Sequence, residues 1–166
     1  MDEKGIPKPI LETERPEEDI VSEILLNVDS YIEKKDDGGE QKIFHLDYGR
    51  KHLHIMIDLS EIRQNKKPQI DMFLYNKKNV TKRDSETRLI LTAARIIMQG
   101  QANELKRNLL CCVSTIDPTM IAFHQTQGDK IFGHWEKTEA RDYPHPTRPY
   151  ELSKEYLFYK TFKPNN

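Results

Sequence analysis

The chain has 166 residues, of which 26 are basic and 27 acidic, and 36% of all residues are hydrophobic. A chain of this length buries a core without disulfides or a structural metal, so the composition excludes a small disulfide-stapled fold. The sequence does not predict a secretory leader, and no apolar run approaches the roughly 20 residues that cross a bilayer. We therefore expect a soluble intracellular protein, in the cytoplasm or nucleus, with no membrane partner.

Charge is unevenly distributed along the chain. Residues 1–40 carry 13 acidic and 5 basic side chains, which leaves 14 acidic and 21 basic ones for residues 41–166. Residues 1–18 contain three prolines and no periodic apolar pattern. We predict a flexible acidic leader over residues 1–18 and one domain over residues 19–166. The acidic segment is either exposed to solvent or lies against the net basic part of the chain, residues 41–166.

The first predicted element is a helix from about Asp19 to Lys34, followed by an Asp-Gly-Gly turn. Its apolar side chains recur at helical spacing. They are Ile20, Val21, Ile24, Leu25, Val28 and Ile32.

Three strands are predicted next, as an antiparallel meander over KIFHLDYG, KHLHIMIDLSEI and PQIDMFLYN. The first two are joined at Gly49-Arg50-Lys51. In the second strand one set of alternate residues is apolar and should face the core. That set is Leu53, Ile55, Ile57 and Leu59, whereas His52, His54, Met56 and Asp58 take the other face.

A long helix follows over TRLILTAARIIMQGQANELKR, capped by Asp84 or Ser85, and Gly100 either kinks or divides it. The apolar run NLLCCVST predicts a strand that is buried on both faces. Such a strand places Cys111 and Cys112 on opposite faces, so they are poor disulfide partners. A short helix over residues 117–128 ends at Gly128, and two strands follow, in DKIFGHWEKTE and KEYLFYKTFK. This order predicts a single α+β domain with a largely antiparallel mixed sheet and helices packed on it.

The segment from Val113 to Gly133 resembles the closing third of the GNAT acyl-CoA N-acyltransferases. In that family a strand is followed by N-x-x-A-I-x-x-Y, then x-x-x-G-F and a final hairpin. The corresponding positions here are Asp117, Met120, Ile121, His124 and Gly128, with Asp129 at the place of the Phe. The resemblance covers the C-terminal half of the chain. It implies a GNAT-like sheet and acyl transfer from acyl-CoA to an amine.

The resemblance also implies a cofactor site before the long helix. The basic loop there would hold the pyrophosphate of acyl-CoA, with contacts from Lys82, Arg83 and Arg88. Phe73 and Tyr75, on the preceding strand, would line the cofactor. The family's loop reads Q/R-x-x-G-x-G/A. When the motif is counted from Arg83, its glycine positions fall on Glu86 and on Arg88 itself.

His124 stands where the family has a Tyr that protonates the leaving thiolate, so it is the predicted catalytic residue. Other interpretations stay open. The basic loop is also consistent with a solvated surface, and His124 with an ordinary half-buried histidine. The chain would then be a non-catalytic protein-interaction module. Aromatic and basic side chains around the last two strands leave a nucleic-acid partner as a further alternative.

Three histidines form the remaining candidate site. His52 and His54 share one strand face, and His45 lies across the predicted hairpin, an arrangement that could bind zinc. The alternative is a polar outer face of the sheet. The chain contains no H-E-x-x-H and no paired C-x-x-C. We therefore predict no metal ligands from the sequence.

Overall fold

The computed structural model describes residues 15–60, 69–76, 84–115, 118–132, 134–144 and 152–165. Its helices are α1 (Glu17–Leu26), α2 (Asp84–Leu105), α3 (Pro118–Thr126) and α4 (Gly128–Phe132). Its strands are β1 (Asp29–Lys34), β2 (Glu40–Tyr48), β3 (Lys51–Asp58), β4 (Gln69–Asn76), β5 (Leu109–Thr115), β6 (Lys137–Pro144) and β7 (Leu152–Phe162). The predicted α+β class is confirmed.

The seven strands form one sheet in the order β1-β2-β3-β4-β5-β7-β6. Every neighbouring pair is antiparallel except β4 and β5, which run parallel and are connected through α2. A parallel pair needs such a crossover, since a tight turn can join only antiparallel strands. The predicted mixed and largely antiparallel sheet is therefore confirmed.

The hydrophobic core lies between the sheet and the helices α1, α2 and α4. In β3 the predicted alternation holds, because Leu53, Ile55 and Ile57 are completely buried on this side. We call this side the helical face. The opposite side, which carries His45, His52 and His54, is the outer face. No described helix combines the length and the apolar character that a bilayer span requires.

The predicted first helix is wrong in its second half. α1 ends at Leu26, and the N–H of Asn27 bonds back to the carbonyl of Ile24 at 3.2 Å. Asp29–Lys34 forms β1 instead, in six residue pairs with β2. The spacing of Val28 and Ile32 fits a helix. Backbone hydrogen bonding to the free edge of β2 outweighs this local preference. As a result, Ile32 is 57% exposed.

The segment after α3 also differs from the prediction. A strand was expected from Asp129, whereas residues from Gly128 onward form α4 and the strand β6 begins only at Lys137. α3 ends at Thr126, and Gly128 begins α4 instead of ending the short helix as predicted. Gly100 does not divide α2, which runs unbroken over 22 residues. The leader residues 1–14 and Asp117 lie outside the described residues.

Candidate functional site

β4 and β5 pair over only part of their length. Their parallel ladder contains three pairs, Gln69 with Leu110, Ile70 with Cys111 and Asp71 with Cys112. Beyond these pairs β4 continues to Asn76, still paired with β3, and β5 continues to Thr115, still paired with β7. Among the described residues, the carboxyl ends of β4 and β5 are therefore not paired with each other. We call this place the β4–β5 split.

The first turn of α2 lies at the same end of the sheet as this split, because α2 follows β4 after residues 77–83. Lys82 and Arg83 fall in that stretch, outside the described residues. For Phe73 and Tyr75 the structure describes the backbone, in which Phe73 pairs with His54 and Tyr75 with His52.

The two residues at the family's glycine positions are held by neighbours on one side of α2. The guanidinium of Arg88 forms an ion pair with Glu17 of α1. The carboxylate of Glu86 accepts a hydrogen bond from the backbone N–H of Arg50 at 3.3 Å, in the β2–β3 turn. Both partners lie on the side of β4 away from β5. Neither contact therefore closes the β5 side of the helix N-terminus.

His124 lies in the core rather than on an open surface. It is 1% exposed, and its ring lies 5.6 Å from that of Trp135 and 5.1 Å from that of Phe158. Its Nδ1 has no hydrogen-bond partner among the described residues. Burial lowers the pKa of His124 to about 4, so the ring is neutral at pH 7. A neutral imidazole is a much weaker proton donor than an imidazolium. The catalytic role of His124 stays a prediction.

A polar group on β6 and β7 adjoins the closed end of the split. Cys112, which ends the β4–β5 ladder, pairs on its other side with Tyr159 of β7. The Tyr159 hydroxyl donates to Glu139 at 3.1 Å, and Glu139 also pairs with Lys137. Desolvation, with Cys112 and Glu139 as further causes, raises the pKa of Tyr159 to about 12. The phenol therefore keeps its proton at neutral pH.

The structure also brings the three histidines of the outer face together. His45 is the direct cross-strand partner of His54, and His52 is that of Asp47. One ring nitrogen from each histidine lies within 4.8 Å of the other two. Burial, together with the neighbouring His45 and His52, lowers the pKa of His54. The sequence analysis raised this cross-strand arrangement as one that could bind zinc, and the structure brings the three rings together.

In comparisons with family models, with curated proteins and with solved structures, no match was found. The GNAT resemblance stays a prediction that rests on the residues of the C-terminal half.

Proposed function

We propose that the protein is an acyl-CoA-dependent N-acyltransferase that binds its cofactor in the β4–β5 split. The observation that carries this proposal is the short parallel ladder, which stops after Asp71 and Cys112. The resemblance implies a cofactor framed by these two strands. Beyond Asp71, the edge of β4 that faces β5 pairs with none of the described residues of β5. Backbone groups at such an edge need another hydrogen-bonding partner. The pantetheine arm of CoA, which carries amide groups, can bind such an edge as an added strand does.

The pyrophosphate would lie at the first turn of α2. Unpaired N–H groups and the positive end of the helix dipole favour an anion there. Lys82 and Arg83 come immediately before this turn in the chain. The side chains of Glu86 and Arg88 are engaged by Arg50 and Glu17, on the side away from β5.

The reaction joins the amine nitrogen to the acyl carbon, breaks the carbon–sulfur bond and transfers a proton to the leaving CoA thiolate. His124 is the donor that the resemblance implies, but its buried ring is neutral at pH 7. Tyr159, which is protonated at neutral pH and adjoins Cys112, is a second candidate donor. Rates of His124→Gln and Tyr159→Phe in an acetyl-transfer assay distinguish the two.

The proposal is tested by binding of acetyl-CoA. A ligand present at 100 times its Kd stabilises a protein by about 2.7 kcal/mol, which a melting curve detects as an increase in Tm. Hydrogen exchange should show added protection of the amides in residues 72–76. The double variant Lys82→Ala, Arg83→Ala should bind roughly tenfold more weakly, because it removes two phosphate contacts.

The matched control removes the same number of charges from the other end of α2, as Lys106→Ala and Arg107→Ala, and should bind like the wild type. Absence of both a Tm increase and added protection at millimolar acetyl-CoA would exclude the proposed function.

A protein-binding function is the second candidate, and the edge strand β1 favours it. β1 is the first strand of the sheet order, and all six of its residues are exposed. Tyr31 and Ile32 are 44% and 57% exposed. A partner strand can extend the sheet at such an edge. A partner that wild type and Ile96→Lys capture but Ile32→Lys does not would support this function, since Ile96 is an exposed isoleucine elsewhere, on α2.

A further inference from the structure

Three imidazoles meet on the outer face, one from β2 and two from β3. The ring centroids of His45 and His54 are 4.3 Å apart, and those of His52 and His54 are 4.6 Å apart. All three side chains are partly buried, so they are accessible to a small ion while their rings are confined by neighbours. The cluster lies on β2 and β3, and β4 separates it from β5. A metal site there is independent of the proposed acyl transfer.

The spacing of two nitrogens already suits a metal ion. Nδ1 of His45 and Nε2 of His52 are 3.3 Å apart. Two imidazole nitrogens bound to one tetrahedral zinc at about 2.0–2.1 Å each are separated by roughly 3.3–3.4 Å. This pair therefore needs little rearrangement to bind one ion. The ring of His54 is nearly perpendicular to both of these rings, at 86° to His45 and 85° to His52. His54 can thus supply a third nitrogen ligand from another direction.

The opposite nitrogens of the same two rings have partners that fix their orientation. Nδ1 of His52 lies 2.7 Å from a carboxylate oxygen of Asp47. Because a carboxylate accepts hydrogen bonds, this Nδ1 carries the proton and Nε2 presents its lone pair. Nε2 of His45 lies 2.9 Å from the hydroxyl of Tyr31. In the tautomer whose Nε2–H donates to Tyr31, Nδ1 of His45 also presents a lone pair. In the other tautomer, Nδ1–H of His45 donates to Nε2 of His52.

In the first of these tautomers both lone pairs point into the 3.3 Å space between the two rings, where one cation can accept both. A carboxylate that holds the distal nitrogen of a histidine is also the arrangement that orients zinc ligands in metalloproteins. We propose that His45, His52 and His54 bind one Zn²⁺ ion, with the fourth coordination position open to water or to a substrate. Asp47 and Tyr31 are positioning residues of this site. Three protein ligands and one open position are typical of zinc that activates a bound water.

The test is calorimetric titration of untagged, metal-free protein with ZnCl₂. We expect one ion per chain for the wild type and at least a hundredfold weaker binding for His54→Gln and for His52→Gln, because each removes one of three ligands. The matched control is His134→Gln, since His134 is exposed and lies outside the cluster. It should bind zinc like the wild type. Melting curves of the metal-free variants establish that each one folds.

Asp47→Asn separates a positioning role from a purely structural one. Loss of such a carboxylate partner typically weakens metal binding by about 10- to 100-fold, while the stoichiometry stays at one ion per chain. Cobalt in place of zinc should give the visible absorption of a tetrahedral site, and this absorption should be absent in His54→Gln. If wild type takes up no zinc, or if His54→Gln binds it as tightly as the wild type, the proposed site is wrong.

Discussion

The indole N–H of Trp135 donates a hydrogen bond to the backbone carbonyl of His124, with 3.2 Å between nitrogen and oxygen. Both rings contact Phe158, a buried residue of β7. This bond connects the segment after α4 to the last turn of α3. Trp135, His124 and Phe158 thus form one aromatic group that connects the short helix α3 to β7.

The first prediction concerns His124 and acid. Its pKa is about 4 in the folded protein and near 6.5 in the unfolded chain, so between these values the unfolded chain binds a proton that the folded protein excludes. The free energy of unfolding should therefore decrease as pH falls from about 6.5 to 4, by about 3 kcal/mol in total. Urea unfolding of the wild type and of His124→Leu at pH 7, 5.5 and 4.5 measures this. The variant should lose less stability over that range, and equal losses would contradict the assignment.

The second prediction compares two glycines in helices. A Cβ on Gly128 would overlap the indole nitrogen of Trp135, whereas one on Gly100 would meet nothing within 4 Å. Gly128→Ala should lower the free energy of unfolding by about 1–3 kcal/mol, because the indole must move. Gly100→Ala should raise it by about 0.5–1 kcal/mol, because alanine is the better helix former. Changes of the same sign in urea unfolding would contradict the packing around Trp135.

The third prediction concerns two glycines with positive φ, Gly49 at +56° and Gly38 at +82°. Alanine at either position incurs the strain of the left-handed conformation, about 1–2 kcal/mol. A Cβ on Gly49 would also lie 2.8 Å from Cδ of Glu86, whereas Gly38 has open space. Gly49→Ala should therefore be the more destabilising in thermal melts, and adding Glu86→Ala should recover part of the loss. Equal effects of the two alanine variants would argue against the Glu86 contact.

The fourth prediction concerns Tyr159, whose pKa is raised to about 12 chiefly by desolvation. A free tyrosine ionises near pH 10, so folding favours the protonated phenol. The associated stability is present below pH 10 and is lost as pH rises through 12. Spectrophotometric titration after a rapid pH jump should show one of the seven tyrosines ionising near pH 12, and this step should be missing in Tyr159→Phe. An unchanged titration of the variant would contradict the raised pKa of Tyr159.

Features set by local pattern were predictable from the sequence. The alternation from His52 to Leu59 identified the buried side of β3, and Gly49 marked the hairpin that follows β2. The end of α1 was not predictable, because Val28 and Ile32 fit a helix as well as a strand until β2 offers its edge. For the same reason the bond from Tyr31 to His45 could not be anticipated, since Tyr31 was assigned to a helix.

Features that depend on long-range pairing were also beyond local reasoning. The end of the β4–β5 ladder at Asp71 depends on how far two strands separated by a 22-residue helix stay in register. The burial of His124 depends on Trp135 and Phe158, which come from two different later segments. Identity at single positions, such as His124 in place of the family's Tyr, carries no information on such surroundings.

The two-residue turn at Gly49 and Arg50 has a consequence for the imidazoles that flank it. A slip of β3 by one residue would point His52 and His54 at the helices and expose Leu53 and Ile55 to water. Burial of those aliphatic groups is thus what keeps the nitrogens aligned. Selection that keeps Leu53 and Ile55 buried on one face of β3 would therefore also preserve the positions of the histidines on its other face.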